Sequence, residues 1–349
     1  MEKLQKKDIR AFTLPQLKVL FTEMGEKAFR ANQVYEWLWK KSARSFEEMS
    51  NLSKNLREQL DLNFVINAVK INSSQISADR TIKNTFKLHD THLIEGVLIP
   101  TSERMTACVS SQVGCSLTCK FCATGYMERK RNVTADEIYD QVVLINQQAI
   151  EKYGIPLSNI VYMGMGEPLL NYAHVLRSID RITAEDGLNM SYKRITVSTA
   201  GIAKMIKKLG DDEVKFNLAL SLHAADDTKR NEIMPINEQN TLEALAEALK
   251  YYYSKTKNPV TYEYIVFNDL NDGLQDAMDL AKFCKHVPCK VNIIEYNPIS
   301  FADYTNATED KLDIFANYLK KQGINTVIRR SRGKDIDAAC GQLAVKEGA

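Results

Sequence analysis

Apolar positions over the first 66 residues recur at helical spacing in three places. Leu14, Leu17, Phe21 and Met24 follow the start signal Thr13-Leu-Pro15. The stretch 34–41 carries both tryptophans, Trp37 and Trp39, and Leu52, Leu56 and Leu60 form a third stripe. A small helical unit is expected there. From about residue 70 the period shortens to two. Lys70-Ile-Asn-Ser, Thr85-Phe-Lys-Leu and Leu93-Ile-Glu-Gly-Val-Leu-Ile alternate as antiparallel strands do. From residue 106 short β-rich runs alternate with longer amphipathic stretches. Strands are expected at 107–110, 159–163, 194–199, 216–222, 260–266, 290–296 and 325–330. Helices are expected near 134–153, 172–184, 202–209, 241–254, 274–286 and 307–322.

Six strand–helix units in succession imply parallel strands with right-handed crossovers. A doubly wound sheet and a barrel both satisfy that pattern, and the chemistry-bearing residues decide between them. Cys115–Cys122, Gly164–Pro168, Ser198, Ser221–His223 and Asn297 all follow the carboxyl ends of expected strands. A (β/α) barrel gathers such loops into one shared site. Six units are too few for a closed eight-strand barrel. The expected fold is α/β: a partial, open (β/α)6 barrel over 106–349, a β-rich extension over 67–105, and a small helical accessory domain over 1–66.

Composition narrows the class without naming it. The chain has 349 residues, a formal charge of +2 and 44% apolar residues. These values exclude disorder and fibrous repeats. No run approaches the roughly 18 apolar residues of a membrane span, and the first residues are charged where an export signal is apolar. A cytoplasmic location with no membrane partner is expected. The slight basic excess in the first 66 residues fits a solvated helical bundle as well as a nucleic-acid-binding appendage.

The seven cysteines change the picture, because four fall between positions 108 and 122. Cys115-Ser-Leu-Thr-Cys119-Lys-Phe-Cys122 sets three thiols within eight residues of one loop. A structural zinc site takes four ligands, usually as two separated pairs. A 4Fe-4S cluster held by three cysteines keeps one iron open. Cluster, three-cysteine zinc site and buried core thiols are the readings available, and the spacing favours the cluster.

The spacing resembles the radical S-adenosylmethionine signature. The surrounding text is more specific. Gly114-Cys115 through Gly125, Met163-Gly-Met-Gly-Glu167-Pro-Leu-Leu-Asn171, Ser221-Leu-His223, Met234-Pro-Ile-Asn237 and Asp335-Ile-Asp-Ala-Ala-Cys340-Gly-Gln-Leu343 resemble the bacterial dual-specificity RNA adenine carbon-2 methyltransferases. The similarity spans essentially the whole chain, including the helical domain, which it implies contacts RNA.

The resemblance implies a 4Fe-4S cluster on Cys115, Cys119 and Cys122. It implies S-adenosylmethionine held by Gly166, Glu167, Ser198, Ser221, Leu222, His223 and Asn297. It implies Cys340 as methyl carrier, Cys108 as its resolving partner and Glu95 as proton acceptor. The targets implied are adenine 2503 of 23S rRNA and adenine 37 of some tRNAs. The partners implied are those RNAs and an electron donor such as flavodoxin or ferredoxin, with a monomeric enzyme. The chemistry calls for a carrier, since adenine carbon 2 is an sp² centre with no lone pair to accept a methyl cation. Read from the residues alone, His223 is a satisfied structural histidine, Glu95 is an exposed strand residue, and Cys108 and Cys340 are small buried hydrophobes. Cys284 and Cys289 match no motif and are read as packing. Basic segments 128–131, 192–194 and 329–334 are expected near the barrel mouth, where they would hold phosphates. A sister enzyme acting on adenine carbon 8 and a zinc-stabilised RNA-binding protein remain the alternatives.

Overall fold

The computed structural model describes residues 6–345. Three helices open it: α1 (Leu14–Glu23), α2 (Phe29–Trp39) and α3 (Lys54–Asn63). Thr13 caps α1 in a reciprocal box with Gln16, and Ser53 caps α3 through the Leu56 N–H. Their apolar faces do not form a separate core. Leu17, Phe21, Val34, Leu38, Leu56 and Leu60 belong to the same buried cluster as the barrel residues. Trp39 meets Tyr139 edge-on, with ring centroids 5.2 Å apart.

Three antiparallel strands follow, β1 (Lys70–Ile76), β2 (Ile82–Lys87) and β3 (Leu93–Pro100). They lead into β4 (Met105–Cys108), which pairs antiparallel with β3 and parallel with β5 (Asn159–Tyr162). The parallel series continues through β6 (Ile195–Thr199), β7 (Asn217–Ser221), β8 (Val260–Val266), β9 (Cys289–Glu295) and β10 (Asn325–Arg329). All ten strands lie in one sheet in sequence order. β1 and β10 stand at its two edges, so the barrel is open as expected. The parallel strands begin and end within two residues of their expected limits. β8 is buried along its whole length, as suits a strand covered on both faces.

The crossover helices are α4 (Ala135–Tyr153), α5 (Tyr172–Thr183), α6 (Ala203–Asp211), α7 (Asp227–Ile233), α8 (Leu242–Thr256), α9 (Leu274–Phe283) and α10 (Glu309–Lys321). The short α7 has no counterpart in the sequence pattern. After β10 the chain folds back across the carboxyl ends of the strands. Ala123 N–H donates to Gly341 O at 2.7 Å, Thr124 Oγ1 to Leu343 O at 2.5 Å, and Ala344 N–H to Glu95 Oε2 at 2.9 Å. One expected basic segment is misplaced. Residues 192–194 precede β6 and therefore lie at the end of the sheet opposite the mouth. Arg131 of another segment is held by Asp90 and Glu137. Among the described residues no helix is long and apolar enough to cross a membrane.

The helical unit is fastened to α4 by a buried cation. Arg10 donates to Asp140 Oδ1 at 2.9 Å and Asp8 Oδ2 at 3.2 Å, and Asp140 also accepts the Val69 N–H. Arg10→Met leaves these carboxylates in the interior without a counter-ion, which should cost roughly 3–5 kcal/mol. Guanidinium denaturation should show that loss, and an unchanged midpoint would refute it.

Candidate active site

The cysteine loop leaves β4 and must turn tightly. Gly114 has φ +75°, and a Cβ there would meet Glu128 O at 2.1 Å. A Cβ on Gly125 would meet Cys119 O at 2.7 Å. The two glycines let the loop close on itself, and Cys115, Cys119 and Cys122 line one end of a cleft of about 890 Å³. Leu117 and Phe121 pack beside them. Burial pushes the Cys115 thiol up to about 11 and the Cys119 thiol well above its ordinary value, and the neighbouring thiols add to the shift at Cys119. Burial raises Cys122 as well. Thiols in this setting ionise when a metal centre displaces their protons. Among the described residues no three His, Cys, Asp or Glu groups converge on a single ion position. All three thiols line the same cleft, and three thiolates leave one iron of a 4Fe-4S cluster open to that space. The donor set therefore fits a cluster.

The loop after β5 forms the next wall. Gly166 has φ +93°, and a Cβ there would strike Gln112 Cβ at 2.4 Å. Glu167 follows, buried in the cleft wall. Its Oε1 accepts from Leu169 N–H at 3.1 Å and its Oε2 from Ala200 N–H at 2.8 Å. Burial pushes the carboxyl up to about 7, and these N–H groups partly restrain the rise. Such a carboxylate suits a cationic ammonium partner.

Ser198 and Ser221 stand on adjacent strands with hydroxyls 3.4 Å apart, and both line the cleft. His223 also lines it, in the left-handed region at φ +57°. Its Nδ1 accepts the Ile265 N–H at 3.0 Å, and its ring meets Phe121 edge-on at 4.8 Å. Burial pushes its pKa down to about 3, so the ring is neutral with its proton on Nε2. Leu222 is fully buried and is not part of the cleft lining. Asn297 lies outside that lining too, and its Nδ2 donates to Cys340 O at 3.1 Å.

Cys108 and Cys340 meet at a second cavity of about 590 Å³, lined also by Ile99, Met163 and Arg329. Met163, Ile294, Arg329 and Cys340 border both spaces, so the cavity adjoins the cleft. Burial, then the neighbouring Cys340, pushes the Cys108 thiol up to about 12. Cys340 is the exposed member of the pair, but its surface faces a concavity, and the surrounding protein raises its thiol as well. Both are free thiols. Cys284 and Cys289 lie apart from this pair, joined by a contact from Cys289 Sγ to Cys284 O at 3.6 Å.

Glu95 is buried rather than exposed. Cys108 pairs with Val97, two residues from Glu95 along β3, so Glu95 and Cys108 share a sheet face. Glu95 does not border either space. Ala344 N–H covers Oε2, and Lys83 stands 3.5 Å from Oε1. Burial raises the carboxyl and Lys83 lowers it. Neither Lys83 nor Arg230 was legible as a site residue. Arg230 is fully buried and donates to the carbonyls of Leu222, Ala200 and Ser221 and to Asn237 Oδ1 at 2.6–3.1 Å. It forms a cationic floor behind Cys119. Burial lowers its pKa to about 10, and Cys119 opposes that fall.

Residues 7–66 match the family model "Ribosomal RNA large subunit methyltransferase N-terminal domain", and residues 109–283 match "Radical SAM superfamily". A Cytophaga hutchinsonii chain named "Probable dual-specificity RNA methyltransferase RlmN" is 64% identical over 344 residues, covering 99% of this chain and 94% of that one. A Bacillus subtilis chain of the same name is 42% identical over 343 residues, covering 98% and 94%. The crystal structure of a radical SAM methyltransferase from Sphaerobacter thermophilus superposes with a TM-score of 0.92 at 36% identity, covering 97% of this chain and all of that one. The chain belongs to the RlmN family of radical S-adenosylmethionine RNA methyltransferases, which use a 4Fe-4S cluster and S-adenosylmethionine.

Proposed function

We propose that this protein methylates carbon 2 of adenine, at position 2503 of 23S rRNA and position 37 of some tRNAs, by a two-stage route through Cys340. The observation that carries the reading is the shared wall. Cys340 borders both the cleft ringed by Cys115, Cys119 and Cys122 and the cavity that holds Cys108. Cys115, Cys119 and Cys122 would hold the cluster. Gly166, Glu167, Ser198, Ser221, Leu222, His223 and Asn297 would hold S-adenosylmethionine, with the Glu167 carboxylate taking its ammonium group. Bound together, these groups would supply a methyl cation equivalent and a hydrogen-abstracting radical.

The residues then divide the work. Cys340 accepts the methyl on sulfur and later loses one hydrogen atom from it. The resulting S-methylene carbon adds to adenine carbon 2. The adduct gives one electron back to the cluster that Cys115, Cys119 and Cys122 would hold, and Glu95 takes the proton from carbon 2. The Cys108 thiolate attacks the Cys340 sulfur. A disulfide forms, the sulfur–methylene bond breaks, and the freed carbon takes up a proton to complete the methyl group. External reductant restores both thiols, which suits the cytoplasm. A flavodoxin or ferredoxin would feed the cluster. The helical domain would contact the RNA, and the enzyme would act as a monomer. A splayed-out adenine is required, as for other base-modifying enzymes.

Cys119→Ala should abolish both the brown cluster absorbance and cofactor cleavage; a colourless, active variant would sink the reading. Cys108→Ala should trap RNA covalently on Cys340, seen as a retarded band by denaturing electrophoresis. Nucleoside mass spectrometry decides the position, and a methyl on carbon 8 would overturn the assignment. Lys83 and Asp337 are the charged groups facing Glu95 from neighbouring segments. Lys83→Met removes the group that lowers the Glu95 pKa, so the alkaline-rising limb of the RNA step should move to higher pH. Lys83→Arg should restore it, and identical pH profiles for all three proteins would refute the role.

A further inference from the structure

Beside the cysteine loop stands an aromatic pair that the proposed chemistry leaves unused. Tyr126 and Phe301 stack with ring centroids 5.0 Å apart and planes at 23°. Both nevertheless remain 47% and 59% exposed. Tyr126 ends the short turn that begins directly after Cys122, and its hydroxyl donates to Lys120 O at 3.1 Å. Phe301 lies in the loop that follows β9 and carries Asn297. A cavity of about 980 Å³ opens beside the pair. Met127, Pro298, Gln342 and Ala344 line it with them, and the last two lie just beyond Cys340 in the chain. Single exposed apolar side chains are ordinary. Two stacked rings bordering a concavity next to the segment that carries Cys340 are not.

We infer that Tyr126 and Phe301 form a stacking platform for the nucleobase adjoining the target adenine. The inference rests on the reading that the target adenine is delivered to Cys340. An adenine turned out of its stack leaves its neighbour with one bare face. Proteins that bind unpaired RNA cover such faces with aromatic rings. The outer faces of the Tyr126–Phe301 stack offer that surface at the edge of the site. Cations complete the match: Lys120 is exposed beside Tyr126, and Arg330 and Arg332 border the cavity of Cys108 and Cys340. Arg330 is held by Glu295 and Glu309 but keeps half its surface open. Flat rings beside an ammonium group, with guanidinium groups at the cavity that holds Cys340, suit a base and its phosphates. An apolar protein segment would not use the cations.

The test uses anaerobically reconstituted holoenzyme and a short RNA hairpin with 2-aminopurine beside the target adenine. Wild-type protein should quench the 2-aminopurine fluorescence and methylate the adenine. The Tyr126→Ala/Phe301→Ala double variant should lose most of the quenching. Its KM for the hairpin should rise roughly fivefold or more, with a smaller fall in kcat. Tyr126→Phe keeps the ring and should keep the quenching. Retained cluster absorbance shows that each variant is folded and loaded. Unchanged quenching in the double variant would overturn the platform, as would quenching lost with KM unaltered. Quenching by wild-type protein without methylation of the adenine would overturn the delivery of that base to Cys340 and leave the platform standing. Absence of both would overturn the two together.

Discussion

Parallel pairing is the constraint on which this structure depends. Parallel strands cannot be joined by a tight turn, so each return passes through a crossover, here a helix, that carries the chain back to the starting end of the sheet. Seven strands, β4 to β10, obey it in sequence order. Every carboxyl end consequently faces the same side. The cysteine loop, the Gly166-Glu167 turn, Ser198, Ser221, His223 and Arg329 converge there although they span more than half the chain. The open edges at β1 and β10 keep the sheet from closing. They leave the antiparallel extension free to place Glu95 on the face of Cys108.

The segment after β10 supplies one wall of this mouth, through Cys340 and Gly341. It is tied to the cysteine loop through Gly341 and Leu343, to Asn297 through Cys340 O, and to Glu95 through Ala344. Gly341, at φ +85°, would bring a Cβ to 3.2 Å from Phe121 O, so the absence of a side chain permits that approach. Each tie uses a backbone group at one end. Side chains of the same segment add to these ties: Lys334 donates to Glu295, Asp335 accepts from Ser77 and the Ala78 N–H, and Gln342 donates to Pro298 O. Cys340 is left as the residue that presents chemistry to both spaces.

Much of the scaffold was legible because each strand is a short β-rich run bounded by turn residues, and because the three thiols sit within one loop. The rest was not, for separate physical reasons. α7 is only seven residues long and begins in Asp226-Asp-Thr-Lys, which reads as a polar turn. Residues 192–194 looked like a mouth segment until their place before β6 was known. Arg230 sits in the polar stretch Asp226-Asp-Thr-Lys-Arg-Asn-Glu232. Its burial depends on carbonyls at Ala200, Ser221 and Leu222 that only the fold brings together. Lys83 sits in a strand with little alternation, and only the β2–β3 register turns it toward Glu95. Cys108 and Cys340 carried no mutual signal, because a shared wall between distant segments is a property of topology.

The partition between the two spaces shows how charge is kept at the site. Glu263 is buried on β8, with Oε1 accepting from Asn292 Nδ2 at 2.8 Å and Arg329 standing 3.6 Å from Oε2. The buried anion holds the guanidinium at the boundary, while Arg329 itself stays nearly half exposed. A fully buried ion pair would have to overcome the desolvation of both ions. Here only the carboxylate is desolvated, and the cation keeps contact with solvent. It borders both thiols of the cavity, and its charge opposes the rise that burial imposes on each. Arg329 is thus the one cationic side chain common to the linings of both spaces, and Glu263 is the reason it stays there.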